Sequence, residues 1–150
     1  MELSDLYSEK ILDIAGNAPQ PGRLGDPDAS ARKVSRVCGS VIEVDIKVED
    51  GVIAAYGHEI SACALGQTSA AIVARQIVGT PAADVLALRQ AMHAMLKAEG
   101  APPGGKWSEL KYLEPVRDYP ARHTSTLLVF DALAAALEKY ESAQAVPAQG

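Results

Sequence analysis

The pattern between residues 42 and 56 constrains the fold more than any other feature of this 150-residue chain. The even positions from 42 to 48 are isoleucine or valine, and the odd positions between them are charged. This period of two is typical of a strand with one apolar and one polar face. Asp50 and Gly51 supply the positive φ angles of a tight turn, and a second apolar stretch follows at residues 52–56. The sequence therefore predicts an antiparallel hairpin whose apolar face must be covered by other elements.

Helical periodicity accounts for much of the remaining chain. It is found at residues 3–14, 61–79, 80–98 and 107–113, and from Ser125 or its neighbour onward. Thr80 is expected to cap the third of these helices, with Pro81 at its first helical position. Residues 31–36 favour a short edge strand before the hairpin. A small antiparallel sheet followed by helices is the α+β pattern, in which the helices pack on one face of the sheet.

Length and composition limit the classes of protein. We expect one domain over residues 1–141 and a flexible tail over residues 142–150. The net charge of −5 and the low aromatic content argue against a nucleic-acid partner. No segment approaches the run of about 18 apolar residues that spans a membrane, and the first ten residues lack the pattern of a secretory signal. We therefore expect a cytoplasmic protein that binds neither nucleic acid nor membrane.

Two cysteines and three histidines are the candidate metal ligands. Cys63 is predicted in the first turn of a helix, where the helix dipole and unpaired N–H groups favour the thiolate. The alternative is that Cys63 is a small core residue. Cys38 lies just before the hairpin, His58 just after it, and His123 at the start of the last helix. His93 is expected at the surface or at its boundary with the core.

The sequence gives little support for a catalytic triad or for a nucleotide-binding site. A hydrolytic triad of Ser125, His123 and Asp118 is disfavoured because no Gly-x-Ser-x-Gly elbow surrounds the serine. The glycine-rich phosphate-binding motifs are absent from the sequence as well.

Taken together, the segments resemble the IscU/SufU/NifU N-terminal family of iron–sulfur cluster scaffolds, over nearly the whole chain. The matching segments are the opening helix at residues 6–13, Asn17-Ala18-Pro19, Val37-Cys38-Gly39-Ser40, the hairpin turn at residues 48–53, the Ser- and Ala-rich stretch at residues 61–71, and residues 113–122. The resemblance implies the SufE/NifU-like fold, in which a small three-stranded antiparallel sheet carries helices on one face.

The resemblance also implies a site. In that family three cysteines and an aspartate meet at one end of the molecule, accept sulfur from a cysteine desulfurase, and hold zinc or a nascent cluster. Cys38 and Cys63 match two of these positions, whereas Ser40 stands at the aspartate position and Ser125 at that of the third cysteine. The cofactor-binding residues are therefore expected to be Cys38 and Cys63. His123, or alternatively His58, would complete a Cys2His site with an external fourth ligand, which suits zinc or iron.

Three functions remain open from the sequence. The first is a cluster scaffold or carrier with a depleted ligand set, completed across a dimer or by a small thiol, which binds an iron–sulfur cluster or iron, with zinc as the alternative. The second is a metal-free docking module for sulfur-transfer partners. The third is an enzyme with a Cys or Ser nucleophile, although we expect no catalytic residue and no enzyme. The expected partners are a cysteine desulfurase and cluster-acceptor proteins, and the expected state is a monomer or homodimer.

Overall fold

The structure is a computed structural model, and it describes residues 7–36 and 39–145. Three strands and four α-helices, joined by 3-10 helix, make up the described chain. In order they are α1 (Glu9–Gly16), β1 (Ala29–Ser35), β2 (Ser40–Glu49), β3 (Val52–Ser61), α2 (Ala64–Gln76), α3 (Ala82–Lys97), 3-10 helix at Gly105–Asp118 and Pro120–Arg122, and α4 (His123–Ala145). Leu3 and Leu6, which belong to the predicted opening helix, lie outside the described residues.

The sheet has the order β1-β2-β3, and both pairs are antiparallel. The predicted hairpin is confirmed: Asp50 has φ +53° and Gly51 φ +76°, as a tight turn between twisted strands requires. The predicted edge strand is also confirmed, since β1 pairs along β2 from Ala29 opposite Ile46 to Ser35 opposite Ser40. This register brings the end of β1, the start of β2 and the end of β3 to one end of the sheet.

The helices cover the apolar face of the sheet, so the predicted α+β class is confirmed. Helix α4 packs against β1 and β2 on one side and against α2 and α3 on the other. Ile42, Val44 and Ile46 of β2 are fully buried beneath this layer. The 3-10 helix adds Trp107, Leu110, Leu113 and Val116 to the same core. The long helix α4 is therefore the element on which the rest of the helical layer is assembled.

The outer face of the sheet differs from the simple polar pattern read from the sequence. Asp45 points away from the helices, yet it is fully buried. The loop before β1 crosses this face, where Arg23 Nε donates to Asp45 Oδ2 at 2.6 Å and the Leu24 N–H donates to the same oxygen at 3.0 Å. Gly57 permits the crossing, since a Cβ there would lie 2.4 Å from the Gly22 carbonyl oxygen. The loop is thus held on the sheet by an ion pair whose carboxylate is buried and whose guanidinium is exposed.

Two predicted helix boundaries are corrected. Pro81, not Thr80, is the N-cap residue of α3, because the Thr80 hydroxyl donates to the Gln76 carbonyl at 3.2 Å instead. The last helix begins at His123 and continues to Ala145, so the first four residues of the predicted tail are helical. The single-domain assignment stays a prediction, and residues 146–150 lie outside the described chain. None of the described helices combines the length and the apolar character needed to cross a membrane.

Candidate functional site

Three small polar side chains from distant parts of the chain meet at the end of the sheet. Ser40 begins β2, Cys63 is the N-cap residue of α2, and Ser125 lies in the first turn of α4. Cys63 Sγ is 3.2 Å from Ser125 Oγ, and Ser125 Oγ is 3.4 Å from Ser40 Oγ. Both serines are buried, whereas Cys63 is partly exposed. The thiol is therefore the solvent-facing end of a buried chain of hydroxyls.

A glycine makes this contact possible. A Cβ at Gly66, in the first turn of α2, would lie 2.8 Å from Ala62 Cβ and 3.2 Å from both the carbonyl oxygen and the hydroxyl of Ser125. A larger residue would have to displace Ala62, because real Cβ atoms do not approach to 2.8 Å, and Ser125 would have to move by a few tenths of an ångström. The absence of a side chain at Gly66 thus brings Ser125 within reach of Cys63. Sequence analysis missed this residue, although a glycine early in a helix is a recognised sign of a close approach.

The surroundings of Cys63 favour its thiolate. Partial burial raises the pKa of the Cys63 thiol, but the opposing effects are larger and the net pKa is lowered. They are the Ser125 hydrogen bond, the backbone N–H groups of Gly66 and Leu65, and the positive charge of Arg122. The N–H groups act through their dipoles, since the Cys63 side chain makes no capping hydrogen bond of ordinary geometry. The predicted thiolate character at a helix start is thus explained, and the part played by Arg122 was missed.

The direction of the hydrogen bonds depends on the charge on the Cys63 sulfur. When Cys63 is ionised, its thiolate accepts and cannot donate, so the Ser125 hydroxyl donates to it. The Ser125 oxygen then accepts from the Ser40 hydroxyl, since each hydroxyl has one donor and two acceptor positions. Hydrogen bonds arranged head to tail polarise one another toward the sulfur.

The second predicted cysteine, Cys38, lies outside the described residues. It precedes Ser40 by two positions, and the intervening Gly39 is exposed with φ +68°. Within residues 7–36 and 39–145, no three His, Cys, Asp or Glu side chains are grouped as a metal site. The described metal-binding groups at this end of the sheet are therefore one cysteine sulfur and two hydroxyls. Of these the sulfur suits iron and zinc once it has lost its proton, and serine hydroxyls are poor ligands for them.

His123 is held by the backbone that precedes α4. Its Nε2 lies 3.0 Å from the Val116 carbonyl oxygen and 3.1 Å from that of Arg117. Carbonyl oxygens only accept, so Nε2 carries the proton and donates. In the neutral ring this leaves Nδ1 as the atom with a lone pair for a metal. His123 as a ligand stays a prediction, now limited to that nitrogen.

His58 lies within the sheet. It sits opposite Val44, four positions along β2 from Ser40, which is about 13 Å at the rise of a strand. Its Nδ1 is 2.7 Å from the Tyr56 hydroxyl, and burial lowers the pKa of the ring. His58 therefore belongs to the buried interior of the sheet, where the loss of solvent disfavours its charged form.

His93 lies at the surface of the helical layer, where its Nε2 and Arg89 Nε each lie 2.8 Å from Asp131 Oδ1. This ion cluster joins α3 to α4. The structure brings neither His93 nor His58 into the Cys63 group.

The fold and the site define a small α+β domain with a partly exposed cysteine at the end of its sheet. Residues 6–146 match the family of the NifU-like N terminal domain. The chain belongs to this family, and the resemblance seen in its sequence is confirmed.

Relatives and solved structures agree with this assignment. The crystal structure of a nitrogen-fixing NifU-like protein (N-terminal) from Brucella abortus is 46% identical, with a TM-score of 0.90, and the match covers 93% of this chain and 97% of that one. The iron–sulfur cluster assembly scaffold protein IscU of Thermotoga maritima is 30% identical over 134 residues, which cover 89% of this chain and 94% of that protein. A structure from Fervidobacterium islandicum, 21% identical, shares the fold with a TM-score of 0.80 over 88% of this chain and 96% of the other.

Proposed function

We propose that this chain is a scaffold or carrier in iron–sulfur cluster assembly. Its family membership supports this function, as does the name of the Thermotoga maritima relative, an iron–sulfur cluster assembly scaffold protein. A second relative, from Streptococcus pyogenes, carries the same name and is 22% identical over 143 residues. The observation that carries the proposal is the partly exposed Cys63, whose surroundings favour the thiolate.

The chemistry of assembly requires a site of this kind. Iron and zinc bind thiolate sulfur tightly, so the ligand must lose its proton near neutral pH. A cluster that is handed to an acceptor must also sit where the acceptor can reach it, and Cys63 faces solvent. In the proposed site Cys63 and Cys38 bind an iron–sulfur cluster or iron, with zinc as the alternative, and Nδ1 of His123 is the candidate third ligand.

The proposed partners are a cysteine desulfurase, which supplies sulfur, and proteins that accept the finished cluster. The proposal assigns the chain no catalytic residue and no enzymatic turnover. Its part is to hold sulfur and metal at the end of the sheet until they are passed on.

The test is anaerobic reconstitution with iron and sulfide, with measurement of bound iron, acid-labile sulfide and the visible spectrum. The wild-type chain should bind both and develop the charge-transfer bands of a thiolate-ligated cluster. Cys63→Ala and Cys38→Ala should each remove them while leaving the far-ultraviolet circular dichroism unchanged. Ser108→Ala, an exposed position on the 3-10 helix, is the control and should behave as wild type. A colourless wild-type protein without bound iron would refute the proposal.

One observation favours a second function. The Ser40, Ser125 and Cys63 side chains form hydrogen bonds with one another, so these polar groups have partners without a metal. This arrangement would suit a chain that has lost its metal. Such a chain would be a metal-free docking module for the sulfur-transfer partners. It would bind a cysteine desulfurase equally well with and without its cysteines, whereas a scaffold should lose sulfur transfer when Cys63 is replaced.

A further inference from the structure

The free edge of β1 is open to solvent along its middle. The sheet has the order β1-β2-β3, so β1 pairs with β2 on one side and with none of the described strands on the other. Arg32, Lys33 and Val34 are three successive exposed residues of β1. Because successive side chains of a strand point to opposite faces, this edge is accessible from both faces of the sheet.

The alternation of the backbone shows which groups point outward from this edge. The Ser30 carbonyl accepts from the side chain of Lys139, Nζ to O 3.1 Å, so the polar groups of Ser30 point away from β2. In an antiparallel pair every second residue bonds to the same neighbour, so the N–H and C=O groups of Arg32 and Val34 point outward as well. Among the described residues none supplies these groups with a partner. They form a row to which another strand can pair.

The same edge carries four cations. Lys139 lies beside its first residues, Arg32 and Lys33 occupy its middle, and Arg36 directly follows the strand. All four are exposed, and none has a carboxylate of the described chain within 4.0 Å. The strand itself, Ala29–Ser35, contains no acidic residue. In a chain whose net charge is −5, this edge is a positive surface that attracts anionic partners.

The nearest acidic side chain on the outer face is already occupied. Glu43 lies opposite Arg32 in the register of β1 and β2, but its Oε2 accepts from Arg23 at 3.0 Å. Arg32 is therefore available to a carboxylate from another molecule.

A cleft of about 250 Å³ lies beside the edge on the helical side. It is lined by Lys33 of β1, Arg89 of α3, and Asp131, Ala134, Ala135 and Glu138 of α4. A strand added to β1 would lie about 4.8 Å beyond it and would place its inward side chains over this cleft. Arg89 and Asp131 bond each other there at 2.8 Å, and the two alanines are half-buried. Because charges of both signs line the cleft, it suits uncharged inward side chains.

We propose that the free edge of β1 is a docking surface for an extended acidic segment of a partner protein, which pairs with it as a fourth strand. On the outer face the segment carries acidic side chains beside Arg32 and Arg36, and an apolar side chain beside Val34, which is 43% exposed. Toward the helices it carries uncharged side chains. In this mode of recognition the main-chain hydrogen bonds give affinity and the alternate side chains give specificity.

A second copy of the chain does not fit this edge. Two β1 strands paired through their free edges would set the cations Arg32 and Lys33 of one copy close to the same residues of the other. Like charges on neighbouring strands destabilise a sheet. An acidic segment turns the same charges into attraction.

The position of the edge links it to the Cys63 group. β1 ends at Ser35, opposite Ser40, whose hydroxyl is 3.4 Å from that of Ser125. A partner that pairs along β1 is therefore brought next to the end of the sheet where Cys63 lies. The inference goes beyond the proposed function and does not rest on it, because the pairing uses neither metal nor the thiol.

The experiment follows the full chain, labelled with nitrogen-15, by NMR during titration with a synthetic peptide. The peptide alternates glutamate with threonine around a central valine and has blocked ends. It should cause saturable shifts, and amide hydrogen exchange at Arg32 and Val34 should slow at least about tenfold in the complex. The Lys33 amide, which faces β2, should change little.

Variants and modified peptides separate strand pairing from charge attraction. Arg32→Glu combined with Lys33→Glu should weaken binding at least about fivefold, whereas Lys111→Glu, at an exposed cation of the 3-10 helix, should behave as wild type. Two further peptides carry N-methyl groups on alternate amides, one on the odd and one on the even residues. Both keep the charge, but one of them loses the N–H groups that face β1 and should not bind.

The contrary outcomes are distinct. No saturable shift at millimolar peptide, with the wild-type chain folded, would overturn the docking surface. Equal binding of both methylated peptides would overturn strand pairing. Slow exchange at Arg32 and Val34 that depends on protein concentration without peptide would make a second copy the occupant. Cys63→Ala should bind the peptide as wild type does, so a failure of cluster reconstitution leaves this inference standing, and a failure of peptide binding leaves the scaffold function standing.

Discussion

At the residue scale, the ionisation of Cys63 is decided by effects of opposite sign. Partial burial raises the pKa of the thiol, whereas the Ser125 hydroxyl, the first-turn N–H groups and Arg122 lower it by more. Ser125 has the largest lowering effect, and it is also the residue held in place by the gap at Gly66. A serine at this position therefore lowers the pKa of the thiol through a hydrogen bond to the sulfur.

The first prediction concerns this hydrogen bond. In a Cys38→Ala background, Ser125→Ala should slow the alkylation of Cys63 by iodoacetamide at neutral pH several-fold. The reason is that a hydrogen bond to a charged group contributes about 1.5 kcal/mol or more, so its loss raises the pKa of the thiol and depletes the reactive thiolate. The rate of Cys63 alkylation is measured at several pH values by quenching samples at set times and analysing them by mass spectrometry.

Ser69→Ala is the matched control for that measurement. The Ser69 hydroxyl also joins α2 to α4, through the Thr126 carbonyl at 2.8 Å, but it makes no contact with Cys63. Equal slowing in both variants would mean that helix packing, and not the hydrogen bond to sulfur, controls the reactivity of the thiol.

At the scale of elements, the site depends on the distance between the first turns of two helices, α2 and α4. The first turns of α2 and α4 touch at Gly66 and Ser125, and the two helices are tied further along by Ser69 and Thr126. The separation between the helices at their first turns therefore sets the distance between Ser125 and Cys63.

The second prediction follows from that contact. Gly66→Ala should lower the free energy of unfolding by about 1–3 kcal/mol, because the added methyl group overpacks against Ala62 and Ser125. Urea denaturation followed by circular dichroism measures it. Gly16→Ala is the control: its Cβ would meet nothing within 4 Å, and alanine has the higher helix propensity, so stability should stay equal or rise. Equal stability of Gly66→Ala and wild type would contradict the close approach.

A second element is the loop that crosses the sheet before β1. Its attachment depends on pH, because it is held by the carboxylate of Asp45. Asp45 accepts hydrogen bonds from Arg23, Ser30 and the Leu24 N–H, and the Arg23 bond is the main reason why the pKa of this buried carboxyl is lowered. A carboxyl whose pKa is lower in the folded state stabilises the fold above its unfolded pKa of about 3.9, and this contribution is lost as the pH falls through the folded pKa.

The third prediction is therefore a pH-dependent loss of stability. Asp45→Asn should destabilise the chain by about 1–3 kcal/mol at pH 7, since Arg23 loses its charged partner. The difference from wild type should shrink below about pH 4, where the Asp45 carboxyl of the unfolded chain begins to take up a proton and the folded carboxylate loses its advantage. Urea titrations at several pH values give both the loss of stability at pH 7 and its change with pH. Asp26→Asn, an exposed aspartate of the same loop, should change little, and a difference for Asp45→Asn that is constant with pH would exclude the carboxylate as its cause.

At the scale of the whole molecule, the elements follow from local pattern and the site does not. The hairpin was predictable because the period of two and the Asp50-Gly51 turn are properties of adjacent residues. The contact of Ser40 with Ser125 joins residues 85 positions apart, and no local period encodes it. The burial of Asp45 could not be predicted from the sequence for the same reason, because the loop that covers it contributes Arg23, 22 positions away in the chain. Resemblance to a family predicted that Ser40, Cys63 and Ser125 lie at one end of the molecule, and the folded structure adds the hydrogen bonds that join them.

The last prediction concerns the coupling between the site and global stability. Ser40, Cys63 and Ser125 belong to three elements that come together only in the folded chain, so a metal held there binds the native state and stabilises it. With free zinc at about 100 times its Kd, the stabilisation is about 2.7 kcal/mol. For a chain of this size that corresponds to a rise in Tm of about 5–10 °C, measured by circular dichroism and reversed by a chelator. Cys63→Ala should abolish the rise, whereas Ser69→Ala, which starts from a lower Tm because it loses the hydrogen bond to Thr126, should keep it in full. A zinc-dependent rise that survives in Cys63→Ala would place the stabilising metal elsewhere on the molecule, because a site that includes this sulfur cannot bind zinc equally well without it.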